Sequence, residues 1–452
     1  FAPHKCVQAI AHATGPLAQG LARERALFDE CIGSPQRAGL IHAFFAERAV
    51  TKIPERDVVP RDISRTGVVG AGTMGTGIAT ALLLAGLPVV LTERDAAALA
   101  NGVAGVRANL DGAVQRGKLT EAARQDILSN AFTPTTDLHA LTPADLVIEA
   151  VSADMGTKQS VFRLLDQICK PGAILASTPT YLDNDQIAAV TGRPRDVMGL
   201  HFFSPAHIMR LVEVIVADRT SPEATATGFA LAKRLNKVAV RARVCDGFIG
   251  NRILARTRAV ADQLVLQGAS PAQIDQALEA FGFAMGPFRA ADLAGLDIGW
   301  AMRKRRGLAA PVPDRLCELG LFGRKTGQGY YVYDGAVRPN PKADSIIAEA
   351  RARAEIAPLE VSDDAIVARS LTAMIAEAAQ VLQDGIALRP VDIDAVLLFG
   401  YGFPRWRGGP MHHADTLGAE QIIARIESYA RDDPALWQVP DLLRRMAETG
   451  QD

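Results

Sequence analysis

The run Thr66-Gly67-Val68-Val69-Gly70-Ala71-Gly72-Thr73-Met74-Gly75-Thr76-Gly77-Ile78-Ala79 limits what this chain can fold into more than any other stretch. A short β-branched segment enters a glycine-rich turn, and the turn opens a helical pattern. Gly70, Gly72 and Gly75 fit G-x-G-x-x-G in that setting. Gly70 permits the tight turn, Gly72 lets the backbone approach a pyrophosphate, and Gly75 lets the helix pack close to the strand. A diphosphate would then rest on the free N–H groups and positive end of the helix. The next apolar segment, Leu87-Pro88-Val89-Val90-Leu91-Thr92, ends at Glu93. An acidic side chain about 20 residues beyond the glycines can take a ribose 2′-hydroxyl and repel a 2′-phosphate. That favours NAD over NADP, although Arg94 beside it is a residue type that accepts a 2′-phosphate.

From Arg65 to about Ala242, predicted strands alternate with helices. The strands are Gly67–Gly70, Val89–Thr92, Leu146–Ala150, Ile174–Ser177, Val197–Phe203, Leu211–Val216 and Val238–Val240. Helical stretches Met74–Ala85, Ala96–Arg116 and Thr157–Cys169 lie between them. Such alternation means a doubly wound, mostly parallel, Rossmann-like α/β sheet, with ligands at the carboxyl ends of the strands. Residues 1–62 read as a helical arm in which Ser34-Pro35 starts a helix and Ile53-Pro54 ends the segment. After Asp246 the pattern turns helical, opening with Ile249 to Gln267.

A weak repeat marks that second half. Gln267 to Asp275 returns as Asp384 to Asp394 with a two-residue slip. Phe281-Gly282-Phe283 returns as Tyr401-Gly402-Phe403, and Ala291-Asp292-Leu293 as Ala414-Asp415-Thr416. The expected organisation is an arm (1–62), a nucleotide-binding domain (63–243), and an all-α domain of two related helical repeats (244–345 and 346–452). Asp334-Gly335 and Pro339-Asn340-Pro341 fall in the linker between the repeats.

Composition removes several function classes. A formal net charge of -1 gives no invitation to nucleic acid or an anionic membrane. Five scattered cysteines without a C-x-x-C pair fit a reducing compartment and argue against a disulfide framework or zinc, and no metal site is expected. The longest apolar run, Ile78 to Leu91, is too short for a bilayer and holds Gly86 and Pro88. These features point to the cytoplasm. The start at Phe1 fits a piece of a longer polypeptide.

A nucleotide domain joined to helices suggests hydride transfer, which needs a base for a hydroxyl proton, and histidine suits that near neutral pH. Of eight histidines, His4, His12, His42 and His139 lie in the arm or a loop, and His412 and His413 flank a turn. His201, in Gly199-Leu200-His201-Phe202-Phe203-Ser204-Pro205, ends a strand. A turn at Ser204 to Ile208 would fold the strand Met209 to Ile215 back on it and could set Glu213 beside His201. A buried carboxylate is costly unless paired, and such a pair would fix the histidine tautomer. The alternative is a satisfied core histidine with Glu213 at a solvated edge. Asn251, in Cys245-Asp246-Gly247-Phe248-Ile249-Gly250-Asn251-Arg252, could donate to a carbonyl oxygen or simply bond local backbone. At its place in the second repeat stands Ala368, so at most the first repeat is catalytic.

Together these residues resemble the 3-hydroxyacyl-CoA dehydrogenase family, above all the dehydrogenase portion of the multifunctional β-oxidation enzymes. The glycine turn, His201 to Pro205, Leu211-Val212-Glu213-Val214, Gly247 to Arg252, Met285-Gly286-Pro287-Phe288 and Gly323-Arg324-Lys325-Thr326-Gly327-Gln328-Gly329-Tyr330 carry the resemblance, over about residues 64 to 417. The arm, with Phe44 to Pro54, looks like the linker that follows the enoyl-CoA hydratase domain of those enzymes. The resemblance implies oxidation of (S)-3-hydroxyacyl-CoA by NAD, with His201 as base, Glu213 its partner, and Asn251 and Thr180 at the substrate oxygen. It implies that Gly70, Gly72, Met74, Gly75, Glu93, Val151, Lys158 and Ser204 hold the cofactor. It further implies an acyl-CoA substrate, a monomer or homodimer in which the second repeat stands in for a partner, and fusion to or association with a hydratase domain. Departures cluster at Ala153 for a family glutamate, at Ser177-Thr178-Pro179-Thr180 for the family's S/T-N-T-S, and at Glu93 for an aspartate. They keep two alternatives in view: an NAD- or acyl-CoA-binding protein with little catalysis, and a dehydrogenase of free hydroxy acids.

Overall fold

The structure, a computed structural model, describes residues 1–449. It divides into two compact units, Phe1–Arg252 with Asp384–Tyr401, and Ile253–Gln383 with the residues from Gly402 onward.

The first unit is built on an eight-stranded sheet: β1 Thr66–Val69, β2 Val89–Thr92, β3 Phe132–Thr135, β4 Leu146–Glu149, β5 Ile174–Ser177, β6 Val197–Phe202, β7 Leu211–Val216 and β8 Val238–Arg243. Their order is β3-β2-β1-β4-β5-β6-β7-β8. Every neighbouring pair is parallel except β6 and β7, which the turn after Ser204 folds into an antiparallel pair. Strands buried on both faces read as continuous apolar runs, and Val68, Leu146, Ile148, Ile174 and Leu175 are wholly buried. Helices Thr73–Leu84 and Ala96–Gln115 cover one face through Ile78, Leu82, Val106 and Leu110. Helix Met155–Ile168 covers the other through Phe162 and Leu165.

Strand β3 was not expected. Its Phe132-Thr133-Pro134-Thr135 is short and carries a proline, which is tolerated because β3 is the edge strand. The arm forms helices Ala2–Ala11, Leu17–Ile32 and Pro35–Ala49, and Ser34 caps the third by accepting from the Arg37 N–H. That third helix packs on helix Pro390–Gly400 of the second repeat, where His42 Nε2 lies 2.8 Å from Asp394. The arm and residues 384–401 therefore belong to the same compact unit as the sheet, a grouping the four-segment reading does not contain.

The second unit is mainly helical around a core that includes Leu264, Ile274, Phe288, Leu316, Ile375 and Ile426. Contrary to an all-α expectation, it carries a hairpin, β9 Tyr331–Tyr333 with β10 Val337–Pro339, turning at the Asp334-Gly335 pair that reads in sequence as a linker. Two buried carboxylates hold it in place. Asp275 accepts from the Phe288 and Arg289 N–H groups and the Tyr331 hydroxyl; Asp292 accepts from the Tyr330 and Tyr331 N–H groups and the Tyr333 hydroxyl. Helix Asp363–Gln383 is long and apolar enough to cross a bilayer, more so than the Ile78–Leu91 run singled out from sequence. Here it is a core helix, with Ile366, Ala373, Ile375 and Ala379 buried.

Candidate active site

The glycine turn has the backbone the motif requires. Gly70 sits at φ +102°, and a Cβ there would come within 2.7 Å of the Ala150 carbonyl oxygen. A Cβ on Gly75 would lie 1.8 Å from the Gly70 oxygen, so strand and helix meet there only without side chains. The Cβ direction of Gly72 is open. Beside this turn lies a cavity of about 510 Å³ lined by Gly70, Gly72, Glu93, Arg94, Ala150 and Val151, at the carboxyl ends of β1, β2 and β4. Glu93 Oε2 accepts from the Ala71 N–H at 3.1 Å, so its carboxylate spans the edge of the turn. A positive-φ glycine corner, an open helix N-terminus and an acidic rim fit a dinucleotide with a free ribose hydroxyl.

Met74, Ser204 and Lys158, also expected at the cofactor, are not among the residues that line this cavity. Met74 is half-buried and packs on the core of the sheet's helical face. Ser204 is exposed, joined by a cis peptide to Pro205. Lys158 is the main departure. Its ammonium is wholly buried and donates to both Glu149 oxygens at 2.7 Å, rather than reaching into the cavity. The cause is Glu149 itself, a buried carboxylate at the end of β4 that requires a cation. Glu149 also accepts from the Ser177 hydroxyl at 2.9 Å and the Val151 N–H at 2.7 Å. Burial pushes the Lys158 ammonium below its ordinary range, and the Glu149 charge works against that. Lys158 thus bears on the cavity through Glu149, which holds the Val151 N–H. Glu149 escaped the sequence reading, although the rule that singled out Glu213, a carboxylate within an apolar strand, applies to it equally.

His201 and Glu213 face each other across the antiparallel β6–β7 pair. His201 Nδ1 and Glu213 Oε2 are 2.6 Å apart, and both side chains are buried. The other carboxylate oxygen accepts the Ile249 and Gly250 N–H groups, each at 3.1 Å. Those consecutive donors converge because Phe248 holds the left-handed φ of 52° in the turn before helix Gly250–Gln267. A carboxylate only accepts, so beside an ionised Glu213 the shared hydrogen sits on Nδ1. Nε2 is then the basic nitrogen. In the parallel register Glu149, Ser177 and Gly199 lie level, and His201 is two residues nearer the carboxyl edge. Two strand spacings, about 10 Å, separate β4 from β6. The imidazole therefore stands on the same sheet edge as the cavity.

Asn251 follows directly on the Glu213-binding turn, and its Oδ1 accepts the Tyr401 hydroxyl at 2.8 Å. Tyr401 is missed by motif reading. Its only sequence signal is a hydroxyl added where the first repeat has Phe281. Thr180 sits half-buried in the loop after β5. Of the four side chains expected at the chemistry, the structure joins His201 to Glu213 directly and Asn251 to Glu213 through the shared turn. No group of metal ligands occurs among the described residues.

Residues 65–245 match the 3-hydroxyacyl-CoA dehydrogenase NAD-binding domain, and residues 247–333 and 366–451 match the C-terminal domain of the same family. The peroxisomal bifunctional enzyme of Danio rerio is 40% identical over all of this chain, which spans 66% of that protein, just under two thirds. The human peroxisomal bifunctional enzyme is 38% identical, again with 66% of its length spanned. Among solved structures, Escherichia coli 3-hydroxybutyryl-CoA dehydrogenase superposes with a TM-score of 0.73 at 28% identity, covering 87% of this chain and 100% of that one. The dehydrogenase part of multifunctional enzyme 1 from C. elegans gives 0.67 at 27% identity, covering 90% and 96%. The chain belongs to the 3-hydroxyacyl-CoA dehydrogenase family, whose members are NAD-dependent oxidoreductases.

Proposed function

We propose that this chain oxidises (S)-3-hydroxyacyl-CoA to 3-oxoacyl-CoA in fatty-acid β-oxidation or short-chain acyl-CoA metabolism. The observation that carries the reading is the His201–Glu213 pair on the sheet edge that also bears the dinucleotide cavity. NAD, when bound, supplies the acceptor for the C3 hydrogen and its electron pair. His201 Nε2 takes the proton of the C3 hydroxyl, and Glu213 stabilises the imidazolium that results. Asn251 and Thr180 bind the substrate oxygen. Gly70, Gly72 and the N-terminus of helix Thr73–Leu84 would hold the diphosphate, and Glu93 the ribose. The direct test is NADH-dependent reduction of acetoacetyl-CoA, followed through a series of acyl chain lengths. Turnover with CoA thioesters but not free acids is the expected result; indifference to CoA would overturn it.

A second reading, cofactor or acyl-CoA binding with little turnover, draws on Ala153, Thr178 and Pro179, which replace family side chains next to β4 and β5. Tight NADH binding without turnover at any chain length would select it.

Cofactor choice follows from Glu93. Replacing it with alanine removes the ribose acceptor and leaves Arg94 on the cavity wall. NAD affinity is expected to fall about tenfold, while NADP binding improves. A titration with both cofactors that shows equal loss would contradict this role.

The domain boundaries 1–62, 63–243, 244–345 and 346–452 are part of the same proposal, with the two later segments as copies of one module. The paired matches to the family's C-terminal domain support this. We further propose that the chain works fused to or beside an enoyl-CoA hydratase, as the arm's likeness to a post-hydratase linker and the longer bifunctional relatives suggest. The second module would then make a monomer sufficient. Cytoplasmic residence is the reading from sequence; the peroxisomal names of the relatives support a peroxisomal matrix instead.

A further inference from the structure

We propose that Tyr401 is a positioning residue for the reaction: its hydroxyl fixes the Asn251 side-chain amide so that the Nδ2 donor, not the Oδ1 acceptor, is presented to the acyl-CoA carbonyl. This rests on the function proposed above and extends it to a residue from the second helical repeat.

An asparagine amide can rotate end for end, offering either a donor or an acceptor to whatever it faces. Only the donor end stabilises a carbonyl oxygen that gains charge during reduction. The Tyr401 O–H donates to Asn251 Oδ1 at 2.8 Å, which leaves Nδ2 as the end with hydrogens to give. Burial and the nearby Glu213 charge push the Tyr401 phenol well above its ordinary value, so it remains a donor throughout the working pH range.

The surroundings fix the ring. Its edge meets Phe203 with centroids 5.4 Å apart at 80°, and Phe203 in turn lies 4.6 Å from the His201 ring. On the other side the ring lies against Gly250, where an added Cβ would fall 2.2 Å from Tyr401 Cε2. Gly250 therefore does two things: its N–H braces Glu213, and its missing side chain admits the tyrosine.

The internal repeat supplies an independent argument. Asn251 corresponds to Ala368 and Tyr401 to Phe281. At neither of those equivalent positions is there a side chain able to form this bond. The polar pair forms at the turn that binds Glu213, with one member from each repeat.

The test is a double-mutant cycle on the full chain. Tyr401→Phe keeps the ring and removes the hydroxyl. It is expected to lower kcat for acetoacetyl-CoA reduction about tenfold, with a smaller loss of acetoacetyl-CoA affinity and NADH affinity unchanged. Asn251→Ala should lower kcat further, and adding Tyr401→Phe to it should do nothing more, because the hydroxyl then has no amide to orient. Asn251→Asp, which keeps the acceptor for Tyr401 but has no donor, should behave like Asn251→Ala. Losses that multiply in the double variant, or a Tyr401→Phe protein as fast as wild type, would overturn the proposal. Should the wild-type chain turn over no acyl-CoA of any chain length, the functional reading fails by itself. The coupling is then read in calorimetric affinity for acetoacetyl-CoA, where additive losses, or no binding, overturn it as well.

Discussion

Replacing His201 with glutamine is expected to slow acetoacetyl-CoA reduction about 10²–10⁴-fold, the usual range for a positioned acid–base group, and to leave NADH binding intact. Glutamine can still donate from its side-chain amide to Glu213, so the carboxylate keeps a partner and the β6–β7 pair keeps its register. What disappears is a nitrogen that can gain and lose a proton. The cofactor cavity is lined from β1, β2 and β4 and does not include β6 residues, so fluorescence titration with NADH should give the wild-type affinity. Glu213→Gln should also slow turnover. Its amide can no longer accept at both ends, so either the Ile249 and Gly250 N–H groups or the His201 Nδ1–H loses a partner. Equal rates for wild type and His201→Gln would remove the proposed base and with it the dehydrogenase mechanism.

How much of this site could be read in the sequence depends on how far apart its members lie along the chain. His201 and Glu213 are twelve residues apart on two apolar strands joined by a short turn. Period-two alternation and the rule against lone buried carboxylates make their pairing legible, with a solvated-edge Glu213 as the alternative. The glycine corner is local as well, and its backbone strain is written in residue type. Glu149 and Lys158 are only nine residues apart, but one ends a strand and the other lies one turn into a helix. Whether that lysine points to the cavity or beneath it depends on packing, which periodicity does not encode. Tyr401 stands 150 residues from Asn251 and joins it only because residues 384–401 belong to the sheet's unit. Edge strand β3 was hidden by Pro134, a residue adverse to strands that an edge position tolerates, and the β9–β10 hairpin by an Asp-Gly turn that resembles a linker.

Lys158→Met should destabilise the protein by about 3–5 kcal/mol, the cost of leaving one member of a buried ion pair without the other. Lys158 and Glu149 are both fully buried, and the ammonium donates to both carboxylate oxygens. Methionine fills nearly the same space, so the loss is electrostatic rather than a cavity. Against a total stability of about 5–15 kcal/mol for a folded domain, the midpoint in urea should move well below wild type. Surface pairs such as Arg25–Asp29 are worth at most about 1 kcal/mol and serve as the comparison. Removing both charges, as Lys158→Met with Glu149→Leu, should recover most of the stability, because no uncompensated ion then remains. Cofactor affinity should not recover with it. Glu149 also anchors the Val151 N–H, and Val151 lines the cavity beside Ala150 and Gly70. The double variant would thus be stable but weak in NAD binding, which separates what the pair does for the fold from what it does for the cofactor. A Lys158→Met protein that unfolds at the wild-type midpoint would mean that the carboxylate has water or another cation beside it, and the buried pair would no longer account for the shape of the cofactor wall.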